Sequence, residues 1–253
     1  MPDTTLPHPQ GAVCWLDMLQ SSQDQLLAFY QPLLGWSGEP IEPDVAKYAV
    51  QTVGGQAVAG IGYLPPEAPV MPWTGYFAVG QVDAVAPRIE ELGGRILVAG
   101  MDAPGVGRFA HGTDPGGASF GLWQPGPFPG FEVYGVHGTL AWFELVTTEG
   151  KASADFYAAL LGAEAQEMPE MPGYWTLHVA GEPRAGIWQV DEVAVNHWRP
   201  YFLVDDVDAA VAAAVAGGAT VTDPAADSPF GRTAGLLDPV GNEFKLASPP
   251  PGT

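Results

Sequence analysis

The chain has 253 residues, 47% of them hydrophobic and only 15% charged, with 33 glycines and 26 prolines; this is a turn-rich globular composition that excludes disordered, coiled-coil and long-helix proteins. Acidic side chains outnumber basic ones 29 to 9, giving a formal charge of -20, so nucleic acid and anionic membranes are excluded as partners by long-range repulsion. The lone cysteine, Cys14, excludes an internal disulfide and makes a reducing cytoplasm the expected location.

Met1 to Gln10 is polar and proline-rich, without the basic and apolar regions of a signal peptide. A strand is predicted over Val13 to Leu19, followed by a helix from Ser22 to Leu34, where Leu26, Phe29, Tyr30, Leu33 and Leu34 recur at helical spacing. Short extended segments follow, up to Ala57 to Tyr63. A second group begins with a strand at Thr74 to Val79 and a helix from about Asp83 to Leu92, closed by Gly93-Gly94. Strands near Arg95 to Val98, Gly107 to Thr113 and Ala118 to Trp123 complete it, with Asp114-Pro115-Gly116-Gly117 as a turn. The Pro- and Gly-rich segment Gln124 to Gly138 reads as a linker between two domains, 1–125 and 136–253. The alanine-rich stretch Val207 to Val221 is too short and too interrupted to cross a bilayer, so the protein is expected to be soluble.

The second half repeats the first. Cys14-Trp15-Leu16-Asp17-Met18 resembles Ala141-Trp142-Phe143-Glu144-Leu145, and Phe29-Tyr30 with Leu33-Leu34-Gly35 returns as Phe156-Tyr157 with Leu160-Leu161-Gly162, all offset by 127 residues. Tyr76-Phe77-Ala78-Val79 returns as Tyr201-Phe202-Leu203-Val204, and Gly107-Arg108 with Asp114-Pro115 returns as Gly231-Arg232 with Asp238-Pro239. Repetition of the βαβββ order over Thr139 to Val190 and Arg199 to Ala247 predicts an α+β fold of four βαβββ modules in two tandem domains.

These four modules, with the FY-x-x-LLG helix end and the DP-x-G turn, resemble the vicinal oxygen chelate superfamily, the glyoxalase, bleomycin-resistance and extradiol dioxygenase group. The likeness runs from about Gly11 to Ser248 and is nearest the two-domain actinobacterial glyoxalase-like type. It implies two glyoxalase/bleomycin-resistance-like domains, each curling its strands into a cleft where His, Gln or Glu would hold a divalent cation. The corresponding stations here fall on Trp15 and Trp142, Thr74 and Arg199, Gly121 and Lys245, and near Gly60 and Gly186. Indole offers only an N–H donor, glycine offers nothing, and Arg and Lys repel a cation. No metal and no cofactor is therefore expected. His197, two residues before Arg199, is the best alternative ligand, while His8, His111, His137 and His178 read as structural or surface residues.

Strand alternation puts Trp15, Asp17, Thr74, Tyr76, Gly121 and Trp123 toward the first cleft and Trp142, Glu144, Arg199, Tyr201 and Lys245 toward the second. Gly60 and Gly121 are expected to leave room there. Aromatic walls with a few polar groups suit a flat, partly apolar small molecule. Asp17 and Glu144 are the candidate acid/base residues, and Arg199 and Lys245 would either pair with Glu144 or receive an anionic group of the ligand. Cys14, out of phase with Trp15, is expected in the core. Two readings stay open: a metal-free binder of an aromatic or polyketide-like compound, as in sequestration, or a glyoxalase-like or hydroxylase-type enzyme acting on a natural product or reactive carbonyl. Either would work as a monomer or homodimer.

Overall fold

The computed structural model describes residues 7–40 and 47–249. The first six residues of the polar N-terminal stretch and the last four residues of the second predicted domain lie outside the described residues. Nineteen elements follow one another as β1(Val13–Leu19), α1(Gln23–Leu34), β2(Tyr48–Val53), β3(Gln56–Gly62), β4(Met71–Ala78), α2(Val82–Glu91), β5(Arg95–Ala103), β6(Gly107–Thr113), β7(Ser119–Pro125), β8(Leu140–Thr147), α3(Gly150–Leu161), β9(Glu164–Glu167), β10(Tyr174–Val179), β11(Glu182–Gln189), β12(His197–Leu203), α4(Val207–Ala216), β13(Thr220–Ser228), β14(Gly231–Leu237) and β15(Glu243–Ala247). The fold is α+β, with two large sheets of seven and eight strands. Three modules have the expected βαβββ order. The first is βαββ among the described residues, and its only further pairing is an isolated bridge between Ser37 and Thr52.

The helices form where the apolar spacing placed them. In α1, Leu26, Phe29, Tyr30, Leu33 and Leu34 are buried, and Gly35 closes the helix in the left-handed region at φ 65°. In α3, Phe156, Tyr157, Leu160 and Leu161 are buried and Gly162 closes it at φ 71°. Among the described residues no helix is long and apolar enough to cross a membrane.

Contacts divide the chain into two compact units: Met1–Trp15, Thr74–Gly130 and Phe143–Trp198 form unit 1, and Leu16–Trp73, Phe131–Trp142 and Arg199–Thr253 form unit 2. Unit 1 carries strands in the order β4-β7-β6-β5 and β8-β11-β10-β9, and unit 2 carries β2-β3-β1 and β12-β15-β14-β13. Each module is a parallel pair extended by antiparallel neighbours: β4 with β7, β8 with β11, β1 with β3 and β12 with β15 run parallel.

The two sequence motifs meet in the cores of these units. In unit 2 the Tyr30 hydroxyl donates to Asp238 Oδ2 at 3.1 Å and accepts from Trp73 Nε1 at 3.0 Å. Asp238 Oδ1 accepts the backbone N–H groups of Val240 and Asn242, which closes the DP turn. Unit 1 repeats this: Trp198 Nε1 donates to Tyr157 Oη at 2.9 Å, and Tyr157 bonds Asp114, which also accepts from Ala118 N at 2.8 Å. Burial pushes the Asp114 carboxyl above its ordinary range and both phenols far above theirs. Aromatic rings pack around each phenol: Phe29, Trp36, Phe202 and Phe244 in unit 2, and Phe77, Phe120, Phe156 and Trp198 in unit 1. Each buried ring contributes roughly 1.5–3 kcal/mol relative to exposure. The FY motif of each half is thus held by the DP motif of the other.

Candidate functional site

The glycines at the expected ligand stations are crossing points. Gly60 of β3 pairs with Asp17 of β1, and a Cβ on it would lie 1.9 Å from Tyr48 Oη. The bare backbone lets the Tyr48 phenol pass over β3 from β2, where its hydroxyl donates to Asp17 Oδ2 at 3.0 Å. Gly121 of β7 lies between Tyr76 of β4 and His111 of β6 in register. A Cβ there would sit 2.3 Å from the Tyr76 ring, so the ring lies across β7 and its hydroxyl reaches His111 Nε2 at 2.8 Å. The room expected at Gly60 and Gly121 is therefore filled, in each case by a tyrosine.

The second half repeats the carboxylate pair. Glu144 of β8 is in register with Gly186 of β11, and Tyr174 of β10 donates to Glu144 Oε2 at 2.8 Å. Tyr48 and Tyr174 are 126 residues apart, so this pair belongs to the duplication. Both carboxylates are only 4% exposed, and a buried carboxylate needs such donors to stay in place.

Unit 1 contains Trp15, Thr74, Tyr76, Trp123 and Glu144 of the predicted site residues. Around Tyr76 the strand face is aromatic. His111 packs between Tyr76 and Phe109, with centroids at 5.2 and 5.3 Å. One register step along, Met101 of β5, Phe109 of β6 and Trp123 of β7 form a row. Phe128, from the predicted linker, meets Trp15 edge-on at 4.9 Å and Trp123 at 6.1 Å. This part of the predicted linker is thus packed against the indoles of β1 and β7. Met101 is half exposed, leaving the outer end of the row open to solvent. Burial pulls the His111 imidazole down to about 4, so it is neutral at physiological pH.

Unit 2 contains Asp17, Trp142, Arg199, Tyr201 and Lys245. Here the row equivalent to Tyr76-Gly121-His111 reads Tyr201, Lys245, Gly235 and Asp223 on β12, β15, β14 and β13. Lys245 Nζ lies 5.5 Å from the Tyr201 ring centroid and 3.1 Å from Asp223 Oδ2. Gly235 is again a crossing: its Cβ would lie 2.4 Å from Asp223 Oδ2. Arg199, nearly buried, pairs with Glu243. The acids next to the two cations, Glu243 and Asp223, have no counterpart in the sequence reading.

These side chains do not fit a divalent cation. The stations carry two indoles, a threonine, two cations engaged with carboxylates, and glycines beneath a tyrosine or in line with a carboxylate. Among the described residues no three His, Cys, Asp or Glu side chains converge. His197 Nδ1 bonds Val195 O at 2.8 Å and His178 Nε2 bonds Thr176 Oγ1 at 2.9 Å. Cys14 is buried with its thiol titration pushed far upward, and it donates to Tyr76 O. A shallow depression at the β5–β6 turn, lined by Pro104, Val106, Gly126 and Pro127 beside Asp102, offers little chemistry. Sequence reasoning did not single out Tyr48, Tyr174 and Phe128, and it read His111 as structural or surface. The 126-residue spacing of the two tyrosines was the available signal.

The glyoxalase-like domain family matches residues 142–247. CFP32, a candidate glyoxylase of Mycobacterium tuberculosis, is 37% identical over 96% of this chain and 97% of its own length. The anthracycline biosynthesis protein DnrV of Streptomyces peucetius is 36% identical, covering 93% of this chain and 92% of its own. Among solved structures, the Mn(II)-bound glyoxalase from Novosphingobium aromaticivorans superposes with a TM-score of 0.66 at 15% identity, covering 95% of this chain and 82% of that one. With a relative 37% identical over nearly the whole length of both chains and the glyoxalase-like domain matched in the second half, the chain belongs to the glyoxalase-like proteins of the vicinal oxygen chelate superfamily.

Proposed function

We propose that the protein binds a planar aromatic compound of polyketide type, without a metal, with the aromatic strand face of unit 1 as its seat. The observation that carries this reading is the uncharged run Trp15, Phe128, Trp123, Phe109 and Met101 beside the Tyr76–His111 pair, open at Met101. Rings and a thioether supply contact area and the polar pair supplies orientation. The likeness to an anthracycline biosynthesis protein supports an aromatic natural product as the ligand class. Quenching of tryptophan fluorescence by tricyclic and tetracyclic hydroxyaryl compounds, before and after chelator treatment, tests it. Saturable quenching with unchanged Kd is expected. Binding that disappears with chelator, or a stoichiometric cation in protein purified without one, overturns it.

A second reading, acid/base catalysis on the ligand, is favoured by the two carboxylate–tyrosine pairs, because a buried carboxylate beside a phenol is a candidate to exchange a proton. Mass spectrometry of the ligand after incubation, with Asp17→Asn and Glu144→Gln, separates the two. A product that vanishes in either variant while affinity persists favours the enzyme. An unaltered ligand in the wild-type protein favours the binder.

A further inference from the structure

We propose that Arg108 is a positioning residue of the aromatic site: it holds the bulge of β5 from which Met101 is aimed along the row with Phe109 and Trp123. The inference rests on the binding reading above and names the group that fixes the outer end of that row. Val98 pairs with His111 and Met101 with Phe109, so Ala99 and Gly100 lie opposite the single residue Ala110 and the ladder is interrupted just before Met101. A bulge re-aims the side chain beside it and leaves backbone without a ladder partner.

Arg108 supplies the hold. Its Nη2 donates to Gly100 O at 2.8 Å and to Asp83 Oδ1 of α2 at 2.8 Å, and its Nη1 donates to Asp102 Oδ1 at 2.7 Å. One planar guanidinium thus ties the residues on either side of Met101 to the helix, a geometry that a flexible ammonium does not reproduce. Glycine at position 100 permits it, since a Cβ there would lie 2.4 Å from Asp83 Oδ1 and 3.0 Å from Arg108 Nη2. Asp83 and Asp102 are 70% and 75% exposed, so water screens both ion pairs and the cluster adds little to stability. What it fixes is the place of Met101, which is half exposed and open to a ligand.

Unit 2 supplies the comparison. There Arg232 meets Asp208 and Asp227, and its guanidinium hydrogen-bonds no backbone carbonyl among the described residues. Pro224 and Ala225 form the equivalent bulge, and Ala226 stands where unit 1 has Met101. Both copies therefore share the acid–arginine cluster, but only the copy with the aromatic row uses it to grip the bulge.

Fluorescence titration with 1,8-dihydroxyanthraquinone tests this in the wild type, Arg108→Gln, Met101→Ala, the double variant and Arg232→Gln. Arg108→Gln and Met101→Ala are each expected to weaken binding about fivefold, within the range of one thioether–ring contact. Because Arg108 acts through Met101, the double variant should lose no more than Met101→Ala alone. Arg232→Gln removes the same exposed cluster from the other copy and should leave Kd unchanged. Should Arg108→Gln lose the near-UV circular dichroism of the wild type, Asp102→Asn, which cuts one anchor of the same guanidinium, completes the cycle instead. Additive losses, an unchanged Kd in either single variant of unit 1, or an equal loss in Arg232→Gln overturns the positioning role and leaves aromatic binding intact. No quenching of the wild-type protein by this compound overturns both.

Discussion

Unit 1 and unit 2 use equivalent strand positions in opposite ways. In unit 1 a tyrosine crosses a glycine to a buried, neutral histidine; in unit 2 the tyrosine lies under a lysine, and an acid crosses a glycine to reach that lysine. Residue 121 became the open position in one copy and residue 235 in the other. By contrast, the carboxylate–tyrosine pairs, Asp17 with Tyr48 and Glu144 with Tyr174, survive in both copies. Duplication kept one polar pair and rebuilt the other, which separates what both copies share from what is particular to one copy.

The sharpest way to break the contrast is to move the lysine. In Gly121→Lys the new side chain must displace the Tyr76 ring and bury a cation beside a neutral imidazole, so overpacking and an uncompensated charge add. Chemical denaturation should show a loss of about 4 kcal/mol. The next largest effect is a pH dependence. Folded His111 takes up its proton near pH 4, whereas its ordinary value is 6.5, so unfolding binds a proton between those values. The stability it contributes is complete above pH 6.5 and is lost as pH falls toward 4, by about 3 kcal/mol at most. Asp114, raised by burial, works in the opposite sense, so the measurement is a difference: His111→Gln should flatten the pH 4–6.5 slope relative to wild type. An unchanged slope would show that His111 titrates normally.

A smaller effect tests the pair that both copies kept. Tyr174 is 8% exposed and Tyr48 half-buried, and the carboxylates they bond, Glu144 and Asp17, are both 4% exposed. Tyr174→Phe and Tyr48→Phe should each cost about 1–2 kcal/mol, the range for a buried acceptor that loses one donor. No measurable cost in either variant would mean that the carboxylates do not depend on these phenols.

The fold was legible because duplication doubled every signal. The helix faces Leu26, Phe29, Tyr30 and Phe156, Tyr157, Leu160 are where periodicity put them, and the DP turns close as expected. What the motifs do was not legible: Tyr30 meets Asp238 and Tyr157 meets Asp114, and no local pattern says that a helix of one half bonds a turn of the other. The site was half legible. Alternation placed Tyr76 and Gly121 side by side, but a glycine in a strand reads equally as space for a ligand or as a passage for a neighbouring side chain. Only the register and the Tyr76 ring position distinguish them. His111 read as structural or surface because it and His178 lie on separate strands in different halves.

The smallest expected effect comes from the charged copy, and its smallness is what sharpens the comparison. Asp223 is 55% exposed and its contact with Lys245 lies at the solvent boundary, where water screens the attraction and long side chains lose freedom on pairing. Asp223→Asn should change stability by less than about 0.5 kcal/mol, whereas its equal-volume carboxamide leaves Lys245 with an uncharged partner over the Tyr201 ring. If unit 2 receives an anionic ligand group, that variant should bind carboxylated aryl compounds more tightly and hydroxyaryl compounds unchanged, because the competing acid has gone while the cation remains. Titration with both classes checks this. A stability loss of several kcal/mol would instead mark the Asp223–Lys245 pair as a structural clamp and remove the reason to treat the two copies as separate sites.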